Sequence, residues 1–326
     1  MLWFWLSVLA LLCWSGSDLF SKIGTREQDK NSHWKVVFAV GLIMGIHFFI
    51  TLIGGAIIDN TVGVEGVNKV VASLVYTDFK IMDFVYYLPI AALYIFAMVL
   101  GYIGLRYIEL SISSPICNSS GALAFLLCLA LGIFSTEDVT TLTIVGVSLI
   151  TVGIVALGFV EQHEDEEVRV ARQERANRRY TKSILAFLLP ISYLIIDALG
   201  TVGDEYLFSD GFIEKTGIEM SDYAANAAFE LTFFILAIFA FIWIKFVKKD
   251  KLFGGKKSLL WGGLCETVGQ IFYMAVMFSD FSAGMVIISA YCAISVLWSR
   301  IFLKEKLSWK HYLFIATVIA GIVVLG

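Results

Sequence analysis

Gly153-Ile154-Val155-Ala156-Leu157-Gly158 returns farther along the chain as Gly321-Ile322-Val323-Val324-Leu325-Gly326. Sliding the sequence against itself extends the match, without a gap, to Ser114–Gly158 over Ser282–Gly326. Within it Ile133-Phe134 lies over Ile301-Phe302, and Glu137 over Glu305. Apolar composition alone produces coincidences, but an aligned glutamate at the same tight turn between two apolar runs points to an internal duplication.

The copies sit in a chain of 326 residues that is 59% hydrophobic and only 16% charged, with mean hydropathy +0.82. Soluble globular chains carry about 25% charged residues, and no water-soluble fold of this length hides so much apolar surface. A helix needs roughly 20 apolar residues to cross about 30 Å of hydrocarbon. Such runs occur at 2–23, 34–58, 83–106, 109–134, 138–161, 183–203, 223–247, 258–279, 282–303 and 309–326. Backbone groups in lipid must be satisfied within a segment, and the runs are far longer than barrel strands. The fold class is therefore all-α integral membrane, with ten transmembrane helices. Met1-Leu2-Trp3-Phe4-Trp5 enters the first run without a basic region or a small-residue cleavage site, so that helix is expected to be retained. The five cysteines lie inside apolar runs without metal-site or disulfide spacing and read as small core residues.

Charge supports the count. All but Lys69, Lys80 and Lys215 of the 24 Lys and Arg residues fall in the loops after the first, third, fifth, seventh and ninth runs. A miscounted helix would scramble this separation. The basic side faces the cytoplasm, which places both termini outside in a multi-pass cell (inner or plasma) membrane protein. Each copy of the duplication holds five helices, and an odd number makes the second enter the bilayer from the opposite side. The fold is predicted to be two inverted five-helix repeats, 1–161 and 183–326, joined by a charged cytoplasmic linker, 162–182. In transporters built this way the solute site lies at the repeat interface near the bilayer midplane.

The run Ile301-Phe302-Leu303-Lys304-Glu305-Lys306-Leu307-Ser308 before Gly321–Gly326, its weaker partner Phe134-Ser135-Thr136-Glu137, and Trp14-Ser15-Gly16-Ser17-Asp18-Leu19-Phe20-Ser21-Lys22 in the first run carry a resemblance. The chain resembles the EamA-type transporters of the drug/metabolite transporter superfamily. That resemblance implies a ten-helix carrier whose central cavity is lined mainly by the third, fourth, eighth and ninth spans. It departs at one point, because many members keep both termini in the cytoplasm.

Ionisable groups inside the hydrocarbon are costly, so each is a candidate for function. Glu266, Gln270 and Tyr273 share one face of the eighth span, flanked by Gly262-Gly263 and Gly269; a polar helix contact is the alternative. Asp197 is central in the sixth span, between Tyr193 and Thr201 and above Pro190. Glu230 shares a face with Asn226, with a structural acid as the equal alternative. His47 follows Gly41-x-x-x-Gly45, which favours a packed neutral imidazole. Asp18 precedes Lys22 by four residues, which favours a local ion pair. Asn118 continues a polar seam from Ser114 to Gly121, and Ser289, Cys292, Ser295 and Ser299 offer a weaker counterpart on the ninth span.

A carboxylate shielded from water is the kind of group that a proton-coupled carrier loads and unloads. The sequence therefore predicts a secondary transporter for a small metabolite or drug-like solute, working by alternating access, with Glu266 and then Asp197 as candidates for proton coupling or for contact with a cationic or polar solute. A channel or lipid flippase is the alternative, with an intramembrane enzyme or a scaffold behind it. There is no GxxxxGK[ST] loop and no HExxH. The chain is expected to need no cofactor or metal and to bind no nucleic acid. Its partners are the solute and membrane lipid, as a monomer or a homodimer.

Overall fold

The structure is a computed structural model that describes residues 2–25, 29–134, 140–163, 184–253, 257–277 and 287–325. Among them all regular structure is helical. Eight helical stretches are long and apolar enough to cross a membrane. They are α1 (Leu2–Gly24), α2 (Ser32–Asp59), α4 (Ile81–Gly104), α5 with α6 (Leu110–Cys117 and Ser120–Ala130), α7 (Thr141–His163), α8 (Ile184–Leu207), α10 (Asp222–Ile242, continued by π-helical Trp243–Val247) and α11 (Ser258–Met277). Two shorter apolar stretches follow: Ile287–Leu303, which contains α12 (Tyr291–Trp298), and α13 (Trp309–Leu325). The short α3 (Lys69–Val75) and α9 (Asp210–Thr216) lie between spans. Almost all of the proposed linker 162–182, with its arginines, and Glu137 lie outside the described residues.

Local chemistry explains the ends. Ser221 caps α10 by accepting from the Ala224 amide, and Asn68 caps α3 at the Val70 amide. The fourth run is not one continuous helix. Pro115 sits in α5, and the chain turns at Asn118-Ser119 before α6 begins. Ser119 Oγ donates to the Pro115 carbonyl at 2.7 Å, which satisfies an acceptor freed near the break. The sixth run also differs from the sequence reading, which ended it at 203. Nothing breaks the helix there, so α8 continues to Leu207 and carries Asp204 and Glu205 on the helix rather than in a loop.

The helices have preferred neighbours: α1 packs on α11, α7 on α13, α2 on α10 and α4 on α8, while the α5–α6 run lies mainly against α8 and α12 mainly against α1. Secondary contacts join α11 to α2 and α10 to α4. With no hydrophobic drive between helices in lipid, close van der Waals approach holds such pairs together. Gly41 and Gly45 serve this purpose, since a Cβ on Gly41 would lie 2.4 Å from the Phe233 carbonyl oxygen and one on Gly45 2.1 Å from the Phe234 ring. The α7–α13 contact is reciprocal. A Cβ on Gly153 would meet Val318 at 2.5 Å and Phe314 O at 3.2 Å, and one on Gly321 would meet Gly146 O and Ile150, both at 2.8 Å. In the aligned segments Gly146 lies over Phe314, Ile150 over Val318 and Gly153 over Gly321.

At the end of the bundle that holds the turn after α12, two buried side chains bind backbone. Lys22, fully buried, donates to Leu105 O at 2.6 Å and to Ile108 O, at the carbonyl end of α4. Glu305 follows Lys304, whose φ of 58° reverses the chain. Its carboxylate accepts from the amides of Leu110 and Ser111 at 3.3 and 3.2 Å and from Ser111 Oγ at 2.7 Å, capping α5. Beyond the spans, the hydrogen bond from Lys35 holds the Asp250 carboxyl below the usual carboxylate range, and the same ammonium reaches Asp29 at 3.0 Å.

Gly153→Val and Gly321→Val should each cost about 1–3 kcal/mol of stability through overpacking. Gly121→Ala, at a glycine with open space around it, should leave the protein as stable or slightly more so. Thermal unfolding of the purified proteins in detergent, followed by size exclusion, measures the contrast.

Candidate solute cavity

The helices enclose a cavity of about 440 Å³. Its wall draws on α1, α4, the α5–α6 break, α8, α10, α11 and α12. The first, sixth and seventh spans therefore contribute alongside the four that the family resemblance implied. The α1 helix reaches the cavity because its serine-rich face lies on glycines of α11: a Cβ on Gly269 would lie 2.5 Å from the Trp14 indole.

Glu266, Gln270 and Tyr273 line the cavity together, as their i, i+4, i+7 spacing predicted. Ser17, one turn from Trp14 on α1, lines the cavity together with Glu266. Asp18 also faces the cavity. It accepts from Ser114 Oγ at 2.6 Å and Ser295 Oγ at 2.7 Å, from the fourth and ninth runs. The expected local pairing with Lys22 is thus not the arrangement found. Lys22 points to the carbonyls at the end of α4, and two hydroxyls from neighbouring helices hold the aspartate.

On the facing wall, Asp197 accepts from Ser120 Oγ at 2.6 Å. Tyr94 OH reaches Asp204 at 3.2 Å and Thr201 at 3.3 Å. Asn118, at the helix break, lines the cavity and donates to Ser289 O at 2.6 Å. Among the described residues the wall carries six carboxylates, Asp18, Asp197, Asp204, Glu205, Asp222 and Glu266, and no Lys, Arg or His. The sequence reading missed Asp204, Glu205 and Asp222 because it placed them in or beside an outer loop. It also missed Trp14, although an aromatic residue four before an aspartate recurs as Trp14/Asp18 and Tyr193/Asp197.

Residues 218–326 match the EamA-like transporter family. The resemblance read from the sequence is borne out over this part of the chain. No curated protein matches it. The long apolar helices make this a multi-pass membrane protein, and over residues 218–326 it is similar to the EamA-like transporters.

The EamA-like segment holds Asn226, Glu230, Glu266, Gln270 and Tyr273, and also Glu305, whose alignment with Glu137 first marked the duplication. Glu230 and His47 lie behind the cavity rather than in its wall. Glu230 is fully buried, and its carboxylate oxygens stand 2.7 and 3.0 Å from His47 Nδ1. The other ring nitrogen, Nε2, faces Leu74 O at 3.1 Å. An imidazole between two acceptors keeps a proton on Nε2 and shares one more between Nδ1 and the carboxylate. The close packing foreseen for His47 is present, but its ring is bonded on both sides. Asn226 Nδ2 donates to Glu230 at 3.3 Å and Gln270 Nε2 donates to Asn226 Oδ1 at 3.0 Å, which ties the buried pair to the cavity wall. Among the described residues no group of three or more His, Cys, Asp or Glu side chains is placed to hold a metal ion.

Glu230→Leu should destabilise the protein by about 3–5 kcal/mol, because it leaves His47 buried without its partner. The double substitution His47→Leu/Glu230→Leu should cost less than the sum of the two single changes. Melting temperatures of the four proteins in one detergent decide this.

Proposed function

We propose that this protein is a secondary carrier that moves a small solute across the cell membrane by alternating access, with the acidic cavity as its binding site. The carrying observation is the cavity itself, a solute-sized space walled by carboxylates in a bundle of apolar helices. Groups so costly to keep in hydrocarbon mark solute or ion pathways.

The helix contacts support two inverted repeats, 1–161 and 183–326. Exchanging each run with the one five places on leaves the principal contacts unchanged. The second–seventh and fifth–tenth pairs map onto themselves, first–eighth maps onto sixth–third, and fourth–sixth maps onto ninth–first. The Gly153/Gly321 reciprocity is the same relation at single residues. Such a pair of near-equivalent halves can trade conformations around a fixed site.

The basic loops argue for outer termini. In that orientation the cavity extends outward to exposed Glu205 at the end of α8, while the ties of Lys22 and Glu305 close the inner end. The described state is then outward-facing, and inward opening separates those ties. Glu266 and Asp197 are the groups on which proton coupling would act.

A thermal-stabilisation screen of the purified protein against amino acids, sugars, nucleotides, polyamines and drugs identifies ligands, since a ligand of the native state raises its apparent stability. The hit should show saturable uptake and counterflow in proteoliposomes; linear, non-saturable flux would mean a channel. With an imposed pH gradient, Glu266→Gln should remove gradient-driven accumulation. Full gradient-driven transport by that variant would sink its coupling role.

A further inference from the structure

We infer that the solute is an organic cation with an apolar or aromatic body, its charge lying between Asp18 and Glu266 beneath a box formed by Trp14, Tyr273 and Tyr291; this rests on the reading of the cavity as the carrier's binding site. Three independent features of the wall support it.

Charge is the first. With six carboxylates and no basic side chain in the described wall, an anion entering the cavity meets like charge in surroundings that screen little. A cation recovers there the solvation it loses on leaving water. A neutral solute would leave the carboxylates without a counter-charge.

The second feature is the aromatic box. The Trp14 ring centroid lies 5.3 Å from that of Tyr273 at a tilt of 36°, and 5.7 Å from that of Tyr291 at 63°. All three residues line the cavity and none is fully buried, so they present ring surface to it. Indole and phenol faces attract cations, and cages of such rings bind quaternary ammonium groups. Trp14 lies one helical turn from Asp18 on α1 and Tyr273 about two turns from Glu266 on α11, so the rings sit along the α1–α11 wall to one side of the two carboxylates.

Unmatched polar atoms are the third. Ser21 Oγ and Tyr102 OH both line the cavity, their residues are 1% and 7% exposed, and among the described residues neither atom has a hydrogen-bond partner. Hydroxyl oxygens carry acceptor lone pairs that face positive charge well. The Tyr193/Asp197 pair repeats the aromatic and acid spacing on the other wall, at a second level of the same cavity.

The test uses three probes of similar body and different charge: benzyltrimethylammonium, its uncharged tert-butyl isostere neopentylbenzene, and phenylacetate. Binding to the full-length protein is read by Trp fluorescence and by thermal shift in one detergent. Benzyltrimethylammonium should bind, and the other two should bind at least about tenfold more weakly, as expected for combined cation–π and charge contacts. Trp14→Leu and Asp18→Asn should each weaken that binding by about tenfold or more, whereas Asp250→Asn, outside the cavity, should leave it unchanged. A Trp14→Phe protein keeps a ring and should retain most of the affinity, which separates loss of the box from loss of folding. No binding of benzyltrimethylammonium, equal binding of the neutral isostere, or unchanged affinity in Asp18→Asn overturns the inference. Counterflow tells the two readings apart. Saturable counterflow of an anion or neutral solute overturns the cation and leaves the carrier, whereas cation binding without counterflow keeps the site and overturns the carrier.

Discussion

A carboxylate away from water needs hydrogen-bond donors or an opposite charge, and in this protein that requirement ties distant helices together. Asp18 draws Ser114 and Ser295 to it, joining the first, fourth and ninth runs at one point. Asp197 takes Ser120, Glu230 takes His47 and Asn226, and Glu305 takes the open amides of α5. Apart from the Asn226–Glu230 bond within α10, each tie crosses between helices that are far apart in sequence. Because leaving such a group unsatisfied is costly, the polar ties restrict which helix arrangements are accessible. Apolar packing alone, in a lipid as apolar as the side chains, restricts them far less.

Glycine provides the complementary constraint. Where Gly41, Gly45, Gly153 and Gly321 meet a facing backbone or ring, no side chain would fit, and the helices approach closely enough for dispersion to hold them. These contacts lie away from the cavity, in the α2–α10 and α7–α13 pairs. The cavity wall is built differently, from hydroxyls, carboxylates and rings that leave space between α1, α4, α8 and α11. Tight glycine seams at the back and a polar opening at the centre suit the proposed carrier, whose halves must move without coming apart.

The polar network reaches unequal depths. Asp18, Asp197 and Glu266 border the cavity, whereas the His47–Glu230 pair stands behind it and touches it only through Asn226 and Gln270. Groups in the wall can meet a solute directly. The pair behind it bridges α2 and α10 and anchors α3 through the Leu74 carbonyl, a place from which it can stabilise one arrangement of those helices.

Apolar run length, a property of the chain alone, was enough to read the eight long apolar helical stretches, and a duplicated glutamate and glycine block was enough to read the resemblance to EamA-type transporters. Spacing on a single helix also foretold that Glu266, Gln270 and Tyr273 share a face, because i, i+4 and i+7 coincide on any α-helix. Which partner each polar group takes was not legible there. Lys22 lies one turn from Asp18 in sequence, yet it binds the end of α4 while the aspartate turns to serines of two other helices. Glu305 was visible as a repeated letter, but its work as the cap of α5 requires residues nearly two hundred positions away. The cavity, its acidic wall and its aromatic box exist only once the helices are assembled, since the desolvation that decides where a charge can rest is set by neighbours in space rather than by neighbours in sequence.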